Sequence, residues 1–280
     1  MNILLKPFEL LWRGVNRANR ALYRRGVFKP KRLPRPVISV GNLAAGGAGK
    51  TPAVIAISRY LIKRGFRVAV LTRGYGRAAD VSGLVTSLDA ARFGDEPVLI
   101  KSKLKNIDVI VGSKRHDNAI QFLNQNDCDL FVLDDGFQHL HLARDVDVVI
   151  DTAGGMMREG RSALADADFV IQRNLRIVVP EELRSKRIFA FAGLANNEQF
   201  FDSLRNFGLT IAGTMSFRDH HRYTAADLAA IKKAAGDAAI VTTEKDAVKI
   251  DDRDIIPIAA EMIVEPEILE AIAERISGVD

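Results

Sequence analysis

Cysteine is nearly absent from this chain of 280 residues, and long apolar runs are missing altogether. The single cysteine, Cys128, excludes an internal disulfide framework and fits a reducing compartment. No apolar run approaches the roughly 18 residues that a membrane-spanning helix needs. The opening MNILLKPFELLWRGV lacks a continuous apolar segment and a small-residue cleavage site, so we expect no secretory signal. The length and balanced composition favour a globular protein of one large or two modest domains.

Acidic residues are almost missing from the first 36 positions. Residues 1–36 hold ten Lys or Arg and one acid, Glu9, so this segment carries a formal charge of +9. The whole chain carries +5, which leaves −4 for residues 37–280. Because the basicity is confined to an N-terminal arm, the overall charge is no argument for nucleic acid, and we expect no such partner.

The basic arm has the periodicity of an amphipathic helix. Apolar residues recur every three or four positions, at Leu4, Phe8, Leu11, Val15, Ala18 and Leu22. Trp12 lies beside this stripe, and arginines 13, 17, 20 and 24 line other faces. A basic amphipathic helix with an aromatic residue is typical of segments that lie in a membrane interface, so we expect residues 1–36 to contact a membrane. The alternative is a terminal helix docked on the protein's own core, with solvated arginines.

From Val37 onward, short runs rich in Val and Ile alternate with helical stretches. The predicted strands are 37–41, 67–72, 107–112, 129–134 and 146–151, with helices chiefly at 50–64 and 113–125. After a polar region the alternation restarts, with strands at 187–193, 209–213 and 238–243 and helices near 196–206 and 224–235. The pattern predicts an α/β fold with a mostly parallel sheet and helices on both faces over residues 37–180, then a smaller α/β domain over 181–280.

A glycine-rich stretch after the first predicted strand resembles a phosphate-binding loop. Its residues are Ala44, Ala45, Gly46, Gly47, Ala48, Gly49, Lys50 and Thr51. The glycines let backbone N–H groups turn toward an anion at a helix N-terminus. Lys50 would reach the β- and γ-phosphates and Thr51 would ligate Mg²⁺. Ala44 replaces the first glycine of the usual pattern, at a position that needs only a tight conformation. A glycine-rich turn with a chance Gly-Lys-Thr is the alternative.

A second half-site follows the predicted strand at 129–134, which ends in Asp134 and Asp135. Two acids at a strand end often only solvate it, but after a phosphate loop they indicate a carboxylate beside the metal. The two half-sites together predict a P-loop NTPase-like fold that binds a nucleotide with Mg²⁺.

The absence of two known signatures helps to decide which class of nucleotide-binding protein the chain resembles. The nearest match to a guanine-reading motif, Thr243-Glu244-Lys245-Asp246, has the wrong spacing. Ala45 stands where dimeric switch ATPases carry a second lysine. Both observations favour a phosphotransferase, with a membrane- or partner-docked switch ATPase as the alternative.

Six motifs in this order resemble those of the tetraacyldisaccharide 4′-kinases, the lipid A kinases of Gram-negative bacteria. They are VGNLAAGGAGKTP, LTRGYGR, GDEP, DDGFQH, FRDHH and TTEKDAV, and they cover roughly residues 37–250. The basic arm resembles the membrane-associating helix of that family. The chain departs from the family at Ala44 and Thr72, where Thr and Ser are common, and in being somewhat shorter.

The resemblance implies transfer of the ATP γ-phosphate to the 4′-hydroxyl of a tetra-acylated glucosamine disaccharide 1-phosphate. It implies a peripheral enzyme at the cytoplasmic side of the inner membrane and no obligate protein partner. It points to Asp95 and His220 as a carboxylate–imidazole pair that accepts the hydroxyl proton, and to Arg73 and Arg115 near the phosphates or the acceptor. His139 is a further candidate for the substrate or phosphate site, with a strand-face residue as its alternative. The resemblance leaves open which member of the pair faces the hydroxyl.

Each of these residues has a plainer reading. Asp95 can be a turn residue before Glu96-Pro97, and His220 a solvated loop histidine beside His221. Arginines on such a surface are often simply solvated. The Glu244, Lys245 and Asp246 run can form a helix N-cap with a salt bridge as readily as a nucleotide contact. If the pair is real, its members lie in different domains, and we expect domain closure to assemble it.

Overall fold

Two β-sheets flanked by helices form the part of the chain that the computed structural model describes. It covers residues 6–44, 47–152 and 157–279, with residues 6–11 described by their backbone alone. The predicted α/β class with a mostly parallel sheet, a smaller second sheet and an N-terminal helix is confirmed. The predicted stripe residue Leu4 and the loop residues Ala45 and Gly46 lie outside the described residues.

The larger sheet has seven strands in the order β3-β4-β2-β5-β1-β6-β7. Its strands are β1 (Val37–Asn42), β2 (Val68–Thr72), β3 (Gly83–Leu84), β4 (Asp108–Val111), β5 (Leu130–Asp134), β6 (Val146–Asp151) and β7 (Phe169–Gln172). All neighbours pair in parallel except the short β3, which is antiparallel to β4. Every residue of β1, β2 and β5 is buried, as expected for parallel strands covered on both faces.

Helices cover both faces of this sheet. They include α2 (Lys50–Lys63), α3 (Ala90–Phe93), α4 (Asp95–Lys103) and α5 (Arg115–Leu123). One core joins α2 and α4 to the sheet and includes side chains of the C-terminal helix α9 (Pro266–Ser277). The opposite face packs on α5 through Ala119 and Phe122.

The smaller sheet has five strands in the order β10-β9-β11-β12-β8. They are β8 (Leu175–Val178), β9 (Arg187–Ala192), β10 (Thr210–Ser216), β11 (Ala239–Thr243) and β12 (Ile255–Met262). Helix α6 (Asn197–Asn206) covers one face, α7 (Ala225–Ala235) the other, and the short α8 (Glu244–Ala247) follows β11. Strand β8 precedes residue 181, yet it pairs with β12 in this sheet, antiparallel.

Several of these elements were not predicted from the sequence. Strands β7 and β8 lie within the stretch that reads as polar, because both are short and largely exposed or half-buried. Strand β12 contains Pro257, which removes a backbone donor and weakens a strand pattern. Helix α9 was not predicted either, and it returns the chain to the larger sheet.

The N-terminal helix α1 (Lys6–Arg24) docks on the larger domain through its basic face. Arg20 is 6% exposed and donates from Nε and one Nη to the two carboxylate oxygens of Glu159, both at 2.8 Å. The guanidinium also lies 4.3 Å from the ring centroid of Phe137. Trp12 and Val15 of the same helix are 60% and 58% exposed. No described helix is long and apolar enough to cross a bilayer.

Candidate active site

The predicted phosphate-binding loop joins the end of β1 to the first turn of α2. Ala44 and Ala48 are buried, and Gly47 and Gly49 have φ angles of 44° and 80°, in the region that favours glycine. A Cβ atom on Gly49 would also lie 2.8 Å from the Cε atom of Met262 in β12. Glycine at this position therefore permits both the turn and the close approach of the second sheet.

Lys50, the first residue of α2, reaches groups at the ends of β1 and β5. Its Nζ donates to Oδ1 of Asn42 at 3.3 Å and lies 3.6 Å from Oδ1 of Asp135. Asn42 is fully buried and donates its side-chain amide to the carbonyl of Ala44 at 2.6 Å, which fixes the start of the loop. Thr51 follows in the same turn of α2, and both residues line a cavity beside the loop. The loop lysine and the second half-site are thus in direct contact.

The two predicted metal carboxylates differ in their surroundings. Asp134 is buried and accepts a hydrogen bond from the hydroxyl of Thr72 at 2.9 Å. Burial and the neighbouring charge of Asp135 raise the pKa of Asp134. Burial also opposes ionisation of Asp135, but the charges of Lys50 and Arg158 outweigh it and lower the pKa of that carboxyl. Arg158 Nη1 lies 3.0 and 3.2 Å from the two oxygens of Asp135.

These groups suit a magnesium ion that is completed by phosphate oxygens. Among the described residues, no cluster of three or more His, Cys, Asp or Glu side chains could hold a metal alone. Mg²⁺ is usually held by one or two carboxylates together with substrate phosphates, and Thr51, Asp134 and Asp135 offer such oxygens. The pKa of Asp134 is raised by its burial and by the negative charge of the half-buried Asp135 beside it, a charge that a cation would neutralise.

The three predicted phosphate or acceptor residues lie near the carboxyl end of β5. Arg115 is 7% exposed, with Nη1 3.1 Å from Nδ1 of His139 and Nη2 donating to the carbonyl of Asp134 at 3.4 Å. Its Nε is buried and has no hydrogen-bond partner among the described residues. Burial lowers the pKa of Arg115, and burial with the charge of Arg115 lowers that of His139 to about 3. Arg73 is exposed, and its charge adds to both effects.

The structure brings together Asp95, beside the larger sheet, and His220, beside the smaller one. Asp95 is the first residue of α4 and is 4% exposed. Nδ1 of His220 lies 2.9 and 3.2 Å from its two carboxylate oxygens. His220 has a φ of 56° in the turn between β10 and α7, a backbone region that few non-glycine residues adopt. The ring of Tyr75 packs against the imidazole, with the centroids 4.5 Å apart.

Lys245 lies near Nε2 of His220, the ring nitrogen that does not face Asp95. Its Nζ donates to Oδ1 of Asp219 at 3.1 Å and lies 3.3 Å from Nε2 of His220. The Asp95 and Glu96 carboxylates are each 3.9 Å from the ammonium. Burial opposes the charge of Lys245, but these acids outweigh it and raise the lysine's pKa. Burial, with Asp134 and Asp95, raises the pKa of Glu96 to about 7.

Two cavities flank this cluster. The first, of about 290 Å³, is lined by the loop and α2 on one side and by β8, β12 and Lys245 on the other. Its walls combine Lys50 and Thr51 with apolar side chains such as Ile55, Leu175 and Met262. The second, of about 560 Å³, contains Asp95, His220 and Tyr75 among its lining residues. The carboxylate–imidazole pair therefore lies between a loop-lined cavity and a second opening.

The N-terminal helix connects to this site through adjacent residues of one segment. The side-chain amide of Asn16 donates to the carbonyl of Arg158 at 2.9 Å, and Arg20 binds Glu159 next to it. Arg158 in turn binds Asp135. The docking of α1 and the position of a predicted metal carboxylate thus depend on the same short stretch of chain.

Sequence reasoning missed four residues of this cluster. Asn42, Tyr75 and Asp219 lie inside motifs that the sequence singles out, so a polar or aromatic residue beside a named position was an available signal. Arg158 had no such signal, because it lies in a polar stretch whose neighbours in space come from elsewhere in the chain.

Comparison with known proteins identifies similar chains. A family model described as tetraacyldisaccharide-1-P 4′-kinase matches residues 1–178 and 172–277. The tetraacyldisaccharide 4′-kinase of Pelobacter propionicus is 37% identical over 298 residues, covering 88% of this chain and 82% of that protein. The protein of the same name from Haemophilus influenzae is 35% identical and covers 93% and 89%.

A solved structure has the same fold over nearly the whole chain. The crystal structure of LpxK from Aquifex aeolicus in complex with ATP superimposes with a TM-score of 0.79. It is 27% identical in sequence, and the match covers 98% of this chain and 97% of that one.

Proposed function

The chain belongs to the tetraacyldisaccharide-1-P 4′-kinase family, and from that premise we propose how its site works. In this proposal it transfers the γ-phosphate of ATP to the 4′-hydroxyl of a tetra-acylated glucosamine disaccharide 1-phosphate. The observation that carries the proposal is the hydrogen-bonded Asp95–His220 pair beside the loop-lined cavity. Such a pair can accept the proton of a sugar hydroxyl.

The nucleotide lies in the loop-lined cavity in this proposal. The triphosphate meets the backbone of the loop, the ammonium of Lys50 and the N-terminus of α2. The apolar walls from α2, β8 and β12 suit an adenine ring, which supports ATP as the donor. When bound by Thr51, Asp134 and Asp135, Mg²⁺ supplies positive charge to the β- and γ-phosphate oxygens. Arg115 has a buried Nε without a partner and can add a further donor there.

The roles of the pair follow from burial and hydrogen bonding. Asp95 is almost fully buried and both its oxygens face Nδ1 of His220, so it orients the ring and stabilises the imidazolium. Nε2 of His220 then takes the acceptor's proton. The 4′-oxygen bonds to the γ-phosphorus, the bond from that phosphorus to the bridging oxygen breaks, and ADP leaves. In this scheme residues 37–180 supply the phosphate loop and Asp95, and residues 181–280 supply His220 and part of the cavity wall.

The arm of residues 1–36 places the enzyme at its lipid substrate. We propose peripheral binding at the cytoplasmic side of the inner membrane. Helix α1 docks on the protein through Arg20, while Trp12 and Val15 are left exposed. That arrangement is the reverse of a helix that docks by its apolar face, and it presents an aromatic residue and apolar surface to a bilayer.

Label transfer from γ-labelled ATP to a detergent-dispersed tetra-acylated glucosamine disaccharide 1-phosphate tests the proposal. We expect label on the lipid with the wild-type chain and its loss in Lys50→Ala and Asp95→Ala. Label released only as free phosphate would overturn the kinase proposal and favour the switch ATPase. Lys63→Ala, at the far end of α2, is the matched lysine control.

A further inference from the structure

The contacts of His220 with Asp95 and Lys245 indicate which nitrogen of the imidazole carries the proton. A carboxylate only accepts hydrogen bonds, so Nδ1 carries the proton that lies against Asp95. An ammonium only donates, so Nε2 presents its lone pair to Lys245 at 3.3 Å. Oδ1 of Asp219 also faces Nε2 but is farther away, at 3.7 Å. The geometry therefore fits the tautomer with its proton on Nδ1 and the lone pair of Nε2 directed at Lys245.

This occupancy conflicts with the role of Nε2 in the proposed reaction. Nδ1 is engaged by Asp95, which leaves Nε2 as the ring atom that can accept the acceptor's proton. A hydroxyl cannot bond to Nε2 while the ammonium donates to the same lone pair. Lys245 must therefore leave Nε2 before the base can act.

The loop-lined cavity supplies a destination for Lys245. Its side chain is 19% exposed and lines this cavity together with Lys50 and Thr51. A triphosphate in the cavity would bring oxygens with a higher charge density than the single carboxylate of Asp219. The flexible stem of a lysine allows the ammonium to change partner at little cost.

We propose that Lys245 is a nucleotide-responsive cap on the catalytic base. In the nucleotide-free enzyme it holds Nε2 of His220, and it moves to the γ-phosphate when ATP binds, which frees Nε2 for the acceptor. The proposal rests on the function proposed above. In this proposal Lys245 is a positioning residue. ATP binding draws it away from Nε2, and His220 can then act as the base.

Nitrogen NMR of the histidine rings tests the cap without any acceptor present. The chain has five histidines, so the signals of His220 are assigned by comparison with His220→Gln. In the nucleotide-free wild type, we expect the Nε2 resonance to be displaced from that of an unbonded imine nitrogen by the hydrogen bond from Lys245. A non-hydrolysable ATP analogue with Mg²⁺ should shift it to the unbonded position, and ADP should leave it in place.

Two variants complete the test. Lys245→Met should show the unbonded signal without nucleotide, and it should bind the analogue about tenfold or more weakly than wild type while binding ADP nearly as well. Lys103→Met removes another lysine of the same cavity, paired with Glu244, and should keep the wild-type NMR response. The comparison of analogue with ADP in wild type needs no variant to fold.

An Nε2 signal that the analogue leaves unchanged, with binding demonstrated in the same sample, would overturn the cap. A signal that moves equally with ADP would overturn the link to the γ-phosphate. Neither result depends on the acceptor, so failure of the cap and failure of the kinase proposal are told apart by the label-transfer experiment.

Discussion

Nδ1 of His220 lies 2.9 Å from Oδ2 of Asp95, although 125 positions separate the two residues in the chain. The contact joins the first residue of a helix on the larger sheet to a turn of the smaller domain. It forms where α4, which packs on the larger sheet, lies against α8, which follows β11 of the smaller sheet. Through this contact, residues from two separate motifs can act together as one proton acceptor. The first prediction follows from it.

Asp95→Asn should lower kcat while leaving ATP affinity close to that of wild type. The amide keeps the size of the carboxylate but cannot stabilise an imidazolium, and general-base contributions are about 10²- to 10⁴-fold. Lipid phosphorylation at saturating ATP measures kcat, and nucleotide titration measures affinity. Asp89→Asn is the control, because Asp89 is an exposed N-cap of α3 and Asn caps helices equally well. An Asp95→Asn enzyme with wild-type kcat would refute the proposed role.

The fold was largely predictable from local patterns, and the site only in part. Buried strands rich in β-branched residues and the Gly-Lys-Thr loop can be recognised in the sequence, because each depends on a pattern within a few consecutive residues. Strand β8 and the link from Arg158 to Asp135 do not, because they depend on partners far away in the chain. The sequence also placed Arg20 on the polar face of α1, and only the structure shows that this face is the docked one.

Arg20→Met should destabilise the protein by about 3–5 kcal/mol, because it leaves the buried carboxylate of Glu159 without its partner. The double variant Arg20→Met with Glu159→Met should lose less than Arg20→Met alone, since no unpaired buried charge remains. Denaturant unfolding measures both. Arg17→Met, exposed on the same helix, should stay within about 0.5 kcal/mol of wild type. A double variant as unstable as the sum of its single variants would contradict this account of α1 docking.

His139→Gln should reduce the loss of stability on acidification from pH 7 to pH 5. Burial and Arg115 lower the pKa of His139 to about 3, so the native ring stays neutral where the unfolded one takes up a proton. Stability then rises with pH, because the unfolded state binds more protons. The contribution of His139 over this range is about 1–2 kcal/mol. Glutamine can accept from Arg115 without titrating, so its unfolding free energy should vary less with pH. Parallel curves for the two proteins would contradict the prediction.

Trp12→Ser with Val15→Ser should weaken binding to anionic vesicles while leaving turnover on a detergent-dispersed acceptor nearly unchanged. Both side chains are more than half exposed, so their loss removes apolar surface and leaves the contact of Arg20 with Glu159 in place. Co-sedimentation with vesicles measures binding, and label transfer in detergent measures turnover. The exposed Arg17→Ser variant separates charge from apolar contact, because its smaller effect should vanish at high salt whereas the apolar loss should persist. Unchanged sedimentation of the Trp12 and Val15 variant would mean that α1 does not contact the membrane through this side, and that its role is confined to holding Glu159 and its neighbour Arg158 beside Asp135.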